Sequence, residues 1–123
     1  MVQGDRRGPG DGQARGDNLD EATRRMLSES IGAALAVRPD RIVTATRGTA
    51  RTAFARQLAI YLARTRLGLS FTAAGRLFNR DRTTAAHACR RIEDLRDDMA
   101  IDALVERLEQ GIAERGAGLE AVS

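Results

Sequence analysis

An all-α fold of about six helices is what this sequence predicts, and three observations carry the prediction. Apolar residues recur at three-and-four spacing in one segment after another, as on one face of a helix. Gly, Pro, Asn, Asp and Ser punctuate those segments at positions that start or stop helices. No stretch alternates apolar and polar residues as a half-buried strand does, and no segment repeats another. The 123 residues, 42% apolar and 30% charged, suffice for one domain around one core. With Phe54, Tyr61, Phe71 and Phe78 as the only aromatics, Ala, Leu and Ile must fill that core, and closely packed helices follow.

Residues 1–17, MVQGDRRGPGDGQARGD, have almost nothing to bury and are expected to form a disordered arm. From Asn18, a candidate cap, Leu19, Ala22, Met26, Leu27, Ser30, Ile31, Ala34 and Leu35 fall on one helical face that ends near Ala36. Pro39 suits the first turn of a short helix whose buried side is Ile42 and Val43. TATRGTART then loses periodicity, and Gly48 among threonines predicts a loop carrying Arg47 and Arg51. The helix AFARQLAIYLARTRLG buries Phe54, Leu58, Tyr61, Leu62 and Leu67 and leaves Arg56, Arg64 and Arg66 outside the stripe. Gly68 stops it, and Ser70 caps a short helix burying Phe71, Ala74, Leu77 and Phe78.

After an Asn79-Arg80 turn, Asp81 caps a further helix. Its buried stripe is Ala85, Ala88, Cys89, Ile92 and Leu95, and its outer face carries Arg82, Thr83, Ala86, His87 and Arg90. Ile101, Leu104, Val105, Leu108 and Ile112 mark an acidic last helix over 99–114, after which residues 116–123 are expected to fray. The folded domain is thus expected over residues 18–115.

All 20 basic residues are arginine, and their placement matters more than their number. Residues 38–91 hold 12 arginines against two acids, net +10; residues 92–123 come to −6 and residues 1–37 to −1. The overall +3 therefore conceals a strongly basic middle, the electrostatic footprint of a nucleic-acid binder. A lone cysteine, Cys89, excludes an internal disulfide and a cysteine-built metal site, and places the protein in a reducing cytoplasm. No apolar run approaches a membrane span and no signal-peptide segment is present, so a soluble, nucleoid-associated protein with no membrane partner is expected.

The densest basic stretch is NRDRTTAAHACRR, residues 79–91. Two helices across a tight turn, the second capped and starting with small polar and arginine side chains, follow the helix-turn-helix plan. A helix entering the major groove end-on sets its first turns nearest the base edges. There Thr83 and Thr84 offer hydroxyls to a base or phosphate and methyls to thymine, while Arg82 has the fork that fits guanine. The threonines also suit an ordinary helix start, and spacing alone leaves both readings open. His87 is placed either to meet a phosphate or to cover a helix seam.

Other uses of the stretch fail on chemistry. Cys89 stands two residues from His87 and so points elsewhere on the helix, which defeats a nucleophilic pair. A metal lacks ligands, and no phosphate-binding GxxxxGK[ST] loop exists. No enzyme activity, cofactor, metal or small-molecule substrate is expected.

The segment ARQLAIYLARTRLGLSFTAAGRLFNRDRTTAAHACRRIEDL, residues 55–95, resembles domain IV, the C-terminal DNA-binding domain, of the bacterial replication initiator DnaA. Arg56-Gln57, Gly75, Phe78, Arg80-Asp81, Thr83-Thr84, His87-Ala88 and Ile92 match its pattern, and IGAALAVRPDRIVTATRG upstream is similar to its leading helix, short helix and basic loop. The resemblance covers roughly residues 20–110. It implies that Arg80, Asp81, Thr83 and Thr84 sit in the major groove and that the loop from Arg47 to Arg51 meets the neighbouring backbone or minor groove. The expected DNA-binding set is Arg47, Arg51, Arg56, Gln57, Arg80, Asp81, Arg82, Thr83, Thr84, His87 and Arg90.

Four departures bear on specificity. Arg82 stands where the family has histidine, Ala85 where it has valine, and Asn79 replaces a glycine pair in a turn one residue shorter. The family's Arg-Pro before its Arg-Gln pair is Phe54-Ala55 here, which leaves Arg51 as the expected substitute for a minor-groove arginine. One changed base contact is worth about 1–3 kcal/mol, enough to move preference away from the family's usual box. The resemblance does not extend to the family's ATP-binding motor, so it implies a reader of DNA rather than an ATP-driven, duplex-melting assembly. Stand-alone proteins similar to this domain include transcription activators, some of gene transfer agent clusters, which implies RNA polymerase or a second activator as partner. A replication modulator occupying DnaA boxes is the second role in the same class. An interaction adaptor whose arginines are merely solvated is the reading from outside it, and salt-sensitive DNA affinity separates the two.

Overall fold

The structure is a computed structural model that describes the backbone of residues 10–44 and 48–122 and the side chains of residues 19–44 and 48–115. Within them lie six helices and no strand: α1 (Gly10–Leu35), α2 (Pro39–Thr44), α3 (Ala50–Thr65), α4 (Phe71–Arg76), α5 (Arg82–Leu95) and α6 (Met99–Val122). Among the described residues no helix is long and apolar enough to cross a membrane, and no group of three or more His, Cys, Asp or Glu could hold a metal ion.

α3 is the central element, packed against α1, α2, α4 and α5. It buries Ala55, Leu58, Ala59, Ile60, Tyr61, Leu62 and Ala63, more than one stripe, as a helix enclosed by neighbours must. Around it the core is completed by Leu27 and Ile31 of α1, Ile42 of α2, Phe78, Ile92 of α5, and Val105 and Ile112 of α6. Two residues assigned to the α1 stripe, Leu19 and Ala34, are instead exposed. α1 begins at Gly10 rather than Asn18, because a nucleated helix extends at little cost, one hydrogen bond per residue fixed. The arm expected over 1–17 is therefore helical from Gly10, and residues 1–9 lie outside the described residues. At the other end α6 continues helical to Val122, past the expected fraying point.

Local chemistry sets the remaining boundaries. α1 ends where Ala36 turns to φ 58° and the Val37 N–H returns to the Gly32 carbonyl at 3.0 Å. A Cβ on Gly32 would stand 2.5 Å from the Val37 carbonyl, so the chain can fold back here only over glycine. α3 starts three residues before its expected beginning. The Thr49 hydroxyl accepts the Thr52 N–H at 3.1 Å, a cap that moves Arg51 from the expected loop onto the first helical turn.

α6 is held by a polar cluster rather than by apolar packing alone. Buried Glu109 accepts from Arg96 Nη1 and from the Thr65 hydroxyl, each at 3.4 Å, and lies 3.7 Å from Arg66 Nη2. Arg96, the C-cap of α5, also donates to Asp102 at 2.5 Å and to the Tyr61 hydroxyl at 3.1 Å. These bonds, Asp102 first, push the Arg96 pKa above its ordinary value. At the far side Arg115 reaches Ser30 and pairs with Glu29 of α1.

Candidate nucleic-acid interface

The segment from Ser70 to Leu95 is built as two capped helices around a backbone-bonded turn. The Ser70 hydroxyl accepts the Ala73 N–H at 3.0 Å and starts α4. The Gly75 carbonyl then accepts from both Phe78 and Arg80 N–H at 2.9 Å, folding the chain back beneath α4. Asn79 sits at φ 58°, a conformation that asparagine tolerates better than most residues because its short polar side chain can bond locally. Leu77 and Phe78 are driven into the core, which fixes the turn from below.

Gly75 lets the two helices meet. A Cβ there would lie 2.7 Å from the Arg80 carbonyl, 3.1 Å from that of Asp81 and 3.2 Å from the Ala85 Cβ. Asp81 Oδ1 accepts the Thr84 N–H at 2.8 Å and so caps α5. That backbone bond, reinforced by the Thr84 side chain, holds the Asp81 carboxyl below its usual range. In the structure Asp81 organises the start of α5, whatever further contact it makes.

The cap leaves the first turn of α5 outward. Of the expected outer face, Arg82, Thr83, His87 and Arg90 are exposed and Ala86 is half-buried; Thr84 is exposed as well. α5 buries Ala85, Ala88, Cys89 and Ile92 against α3 and α4. Burial also pushes the Cys89 thiol pKa up, consistent with a small core residue rather than a reactive one.

Two grooves flank α5. One, of about 250 Å³, brings together Arg56 and Gln57 of α3, Arg80 of the turn, and Thr84, His87 and Arg91 of α5. Five of the expected site residues thus converge there, and Arg91 joins them. Arg56 is partly inward: its Nε donates to the Ile42 carbonyl at 2.8 Å and its Nη2 to that of Arg41 at 3.3 Å. Burial first, and Arg80 nearby second, depress its pKa. Arg80 donates to the Phe78 and Asn79 carbonyls at 3.0 and 3.1 Å. The Gln57 Oε1 is buried with no hydrogen-bond partner among the described residues.

The other groove, of about 220 Å³, is lined by Arg64, Phe71, Ala86 and Arg90, with the acidic Glu93 beside them. Arg51 stands apart from both, in a cleft of about 550 Å³ with Arg38 and Arg41 at the start of α3. Arg47 lies outside the described residues.

Arg91, Arg64 and Phe71 also line the grooves flanking α5 and are not among the expected site residues. For Arg91 a signal existed, since it lies four residues after His87 and so on the same flank of the helix. Phe71, expected in the core, packs against it while half-buried, and its outer ring face is covered by arginine.

The family model described as the bacterial dnaA protein helix-turn-helix matches residues 26–92. Two solved structures are similar over 85% of this chain at 28% identity and a TM-score of 0.72. One is described as the crystal structure of a DNA replication initiation factor, the other as replication initiator DnaA bound to AMPPCP and single-stranded DNA. The match takes in 32% of each of those chains, so this chain spans about a third of their length. No curated protein matches it.

Proposed function

We propose, from the premise that this chain belongs to the bacterial DnaA helix-turn-helix family, that it binds double-stranded DNA sequence-specifically and acts as a transcription regulator. The observation that carries this reading is the exposed first turn of α5, capped by Asp81 and set between two arginine-lined grooves. With α5 in the major groove, Arg82, Thr83 and Thr84 reach base edges. Arg56, Gln57, Arg80, His87 and Arg91 then face one sugar–phosphate strand, and Arg64 and Arg90 the other. Arg51, at the start of α3, extends the contact along the neighbouring backbone.

Genome-wide immunoprecipitation of the tagged full chain, with motif discovery, tests the role. Enrichment at promoters under a motif distinct from the DnaA box is the expected result, with RNA polymerase or a second activator co-precipitating. Peaks confined to DnaA boxes would replace the regulator with a replication modulator. The duplex contact is tested separately by salt titration. A protein making several phosphate contacts loses orders of magnitude in affinity between about 50 and 200 mM salt, whereas an adaptor shows no such loss. Thr83→Ala with Thr84→Ala should flatten the difference between target and random DNA. Full discrimination in that double variant overturns the groove assignment.

A further inference from the structure

Phe71 carries two guanidinium groups on its ring. The Arg64 Cζ lies 4.0 Å from the ring centroid and the Arg82 Cζ lies 5.9 Å from it. The two arginines differ in what else holds them. Arg64 donates to the Leu69 carbonyl at 3.2 Å, which ties it to the loop before α4 and steadies the ring. Arg82 is exposed at the start of α5, and among the described residues Phe71 is its one partner. A loose arginine there would sample many rotamers and lose that freedom on binding.

We infer that Phe71 is a positioning residue for base recognition: its ring holds Arg82 in the orientation from which the guanidinium meets a base edge, and so sets the preference at one base pair of the target. The inference rests on the reading of α5 as the groove-entering helix. Its physical basis is that a guanidinium stacks through its face and donates hydrogen bonds through its in-plane edge. An aromatic platform therefore restrains Arg82 without consuming the fork that recognises guanine. Phe71 need not touch DNA. α4 thus acts through α5 by fixing a side chain as well as by packing beneath it.

The test is sequence selection by the full chain from a randomised duplex library, comparing wild type, Arg82→Ala, Phe71→Leu, Phe71→Tyr and the Phe71→Leu/Arg82→Ala double variant. One position of the selected motif should lose its base preference in Arg82→Ala. Phe71→Leu should relax that same position roughly two- to fivefold, the worth of a solvent-exposed cation–π contact, leaving the base preferences at the other positions unchanged. Phe71→Tyr, which keeps the ring, should restore the preference, and the double variant should match Arg82→Ala. A merely structural Phe71 would instead weaken all positions together, and that result overturns the inference. So does Phe71→Leu retaining full preference at the Arg82 position, or Arg82→Ala altering no position while a motif persists. Selection of no motif by the wild type overturns the groove reading itself, and this inference with it.

Discussion

Gly75→Ala should destabilise the protein although it replaces glycine by the best helix former. The added Cβ would meet the Arg80 carbonyl at 2.7 Å, and an ordinary contact begins near 3.4 Å, so that carbonyl must retreat by about 0.7 Å. It cannot do so by rotating a side chain. The preceding peptide is held by the Arg80 N–H bond to the Gly75 carbonyl, and the following residue, Asp81, caps α5. Overpacking of this kind costs about 1–3 kcal/mol, and the upper half of that range applies because the obstacle is backbone. Helix propensity returns about 1 kcal/mol. The net loss, about 1–2 kcal/mol, corresponds to a fall in Tm of roughly 4–15 °C for a domain of this size. Gly111→Ala in α6 is the control, since its Cβ would meet nothing within 4 Å and should raise stability. Thermal unfolding of both variants decides the matter. If Gly75→Ala melts at or above wild type, the close approach of α4 to the turn is not what glycine serves there.

Three further outcomes follow from the geometry. The Asp81 carboxyl is held below its usual range by Thr84, so its capping is fully present above the unfolded value, about 4, and is lost as pH falls through the lower folded value. Acid should lower the protection of the Thr84 amide, taken relative to its intrinsic exchange rate at each pH, in the wild type but not in Asp81→Asn, which caps without a titrating group; an equal acid response in both refutes the assignment. Glu109→Ala should lower the urea midpoint by the equivalent of about 0.5–1.5 kcal/mol for each hydrogen bond it removes from Thr65 and Arg96, while exposed Glu106→Ala should not. Arg51→Ala should weaken target and random duplexes by similar factors and reduce the log–log salt slope by about 1; a loss confined to the target would make Arg51 a base reader instead.

What could be read in the sequence was whatever is encoded within a few residues. Pro39, Ser70 and Asp81 each announced the start of a helix because a cap or a first-turn proline acts on neighbours one to three residues away. The outward face of α5 followed from helical spacing for the same reason. Thr49 carries an equally local signal, but it lies among glycine and threonine that also mark loops, so the sequence alone does not separate the cap from the loop. The contacts of Arg56 were out of reach: its carbonyl acceptors lie 14 and 15 residues away, and only the packed α2–α3 pair brings them close. The ring of Phe71 looked like core because its spacing fits a buried stripe, and nothing local places Arg64 and Arg82 against it.

The net +10 of residues 38–91 also hides a division of labour among arginines. Arg56, Arg64 and Arg80 all donate to backbone carbonyls, at the end of α2, in the loop before α4 and in the turn before α5. Helix ends and turns leave such carbonyls without a ladder partner, so a side-chain donor there completes the fold. A lysine could supply the donor but only as a point charge on a flexible stem. Guanidinium has five N–H groups in a rigid plane, so one edge can satisfy a carbonyl while the other stays directed outward. Arg56 donates to two carbonyls of α2 and at the same time lines the groove beside Thr84 and His87. Under the proposed function, side chains immobilised in this way would have little freedom left to lose on meeting a phosphate. The packing that closes α2 and α3 against the turn is therefore also what aims positive charge at the flank of α5, and substitution of these arginines by lysine would disturb both at once.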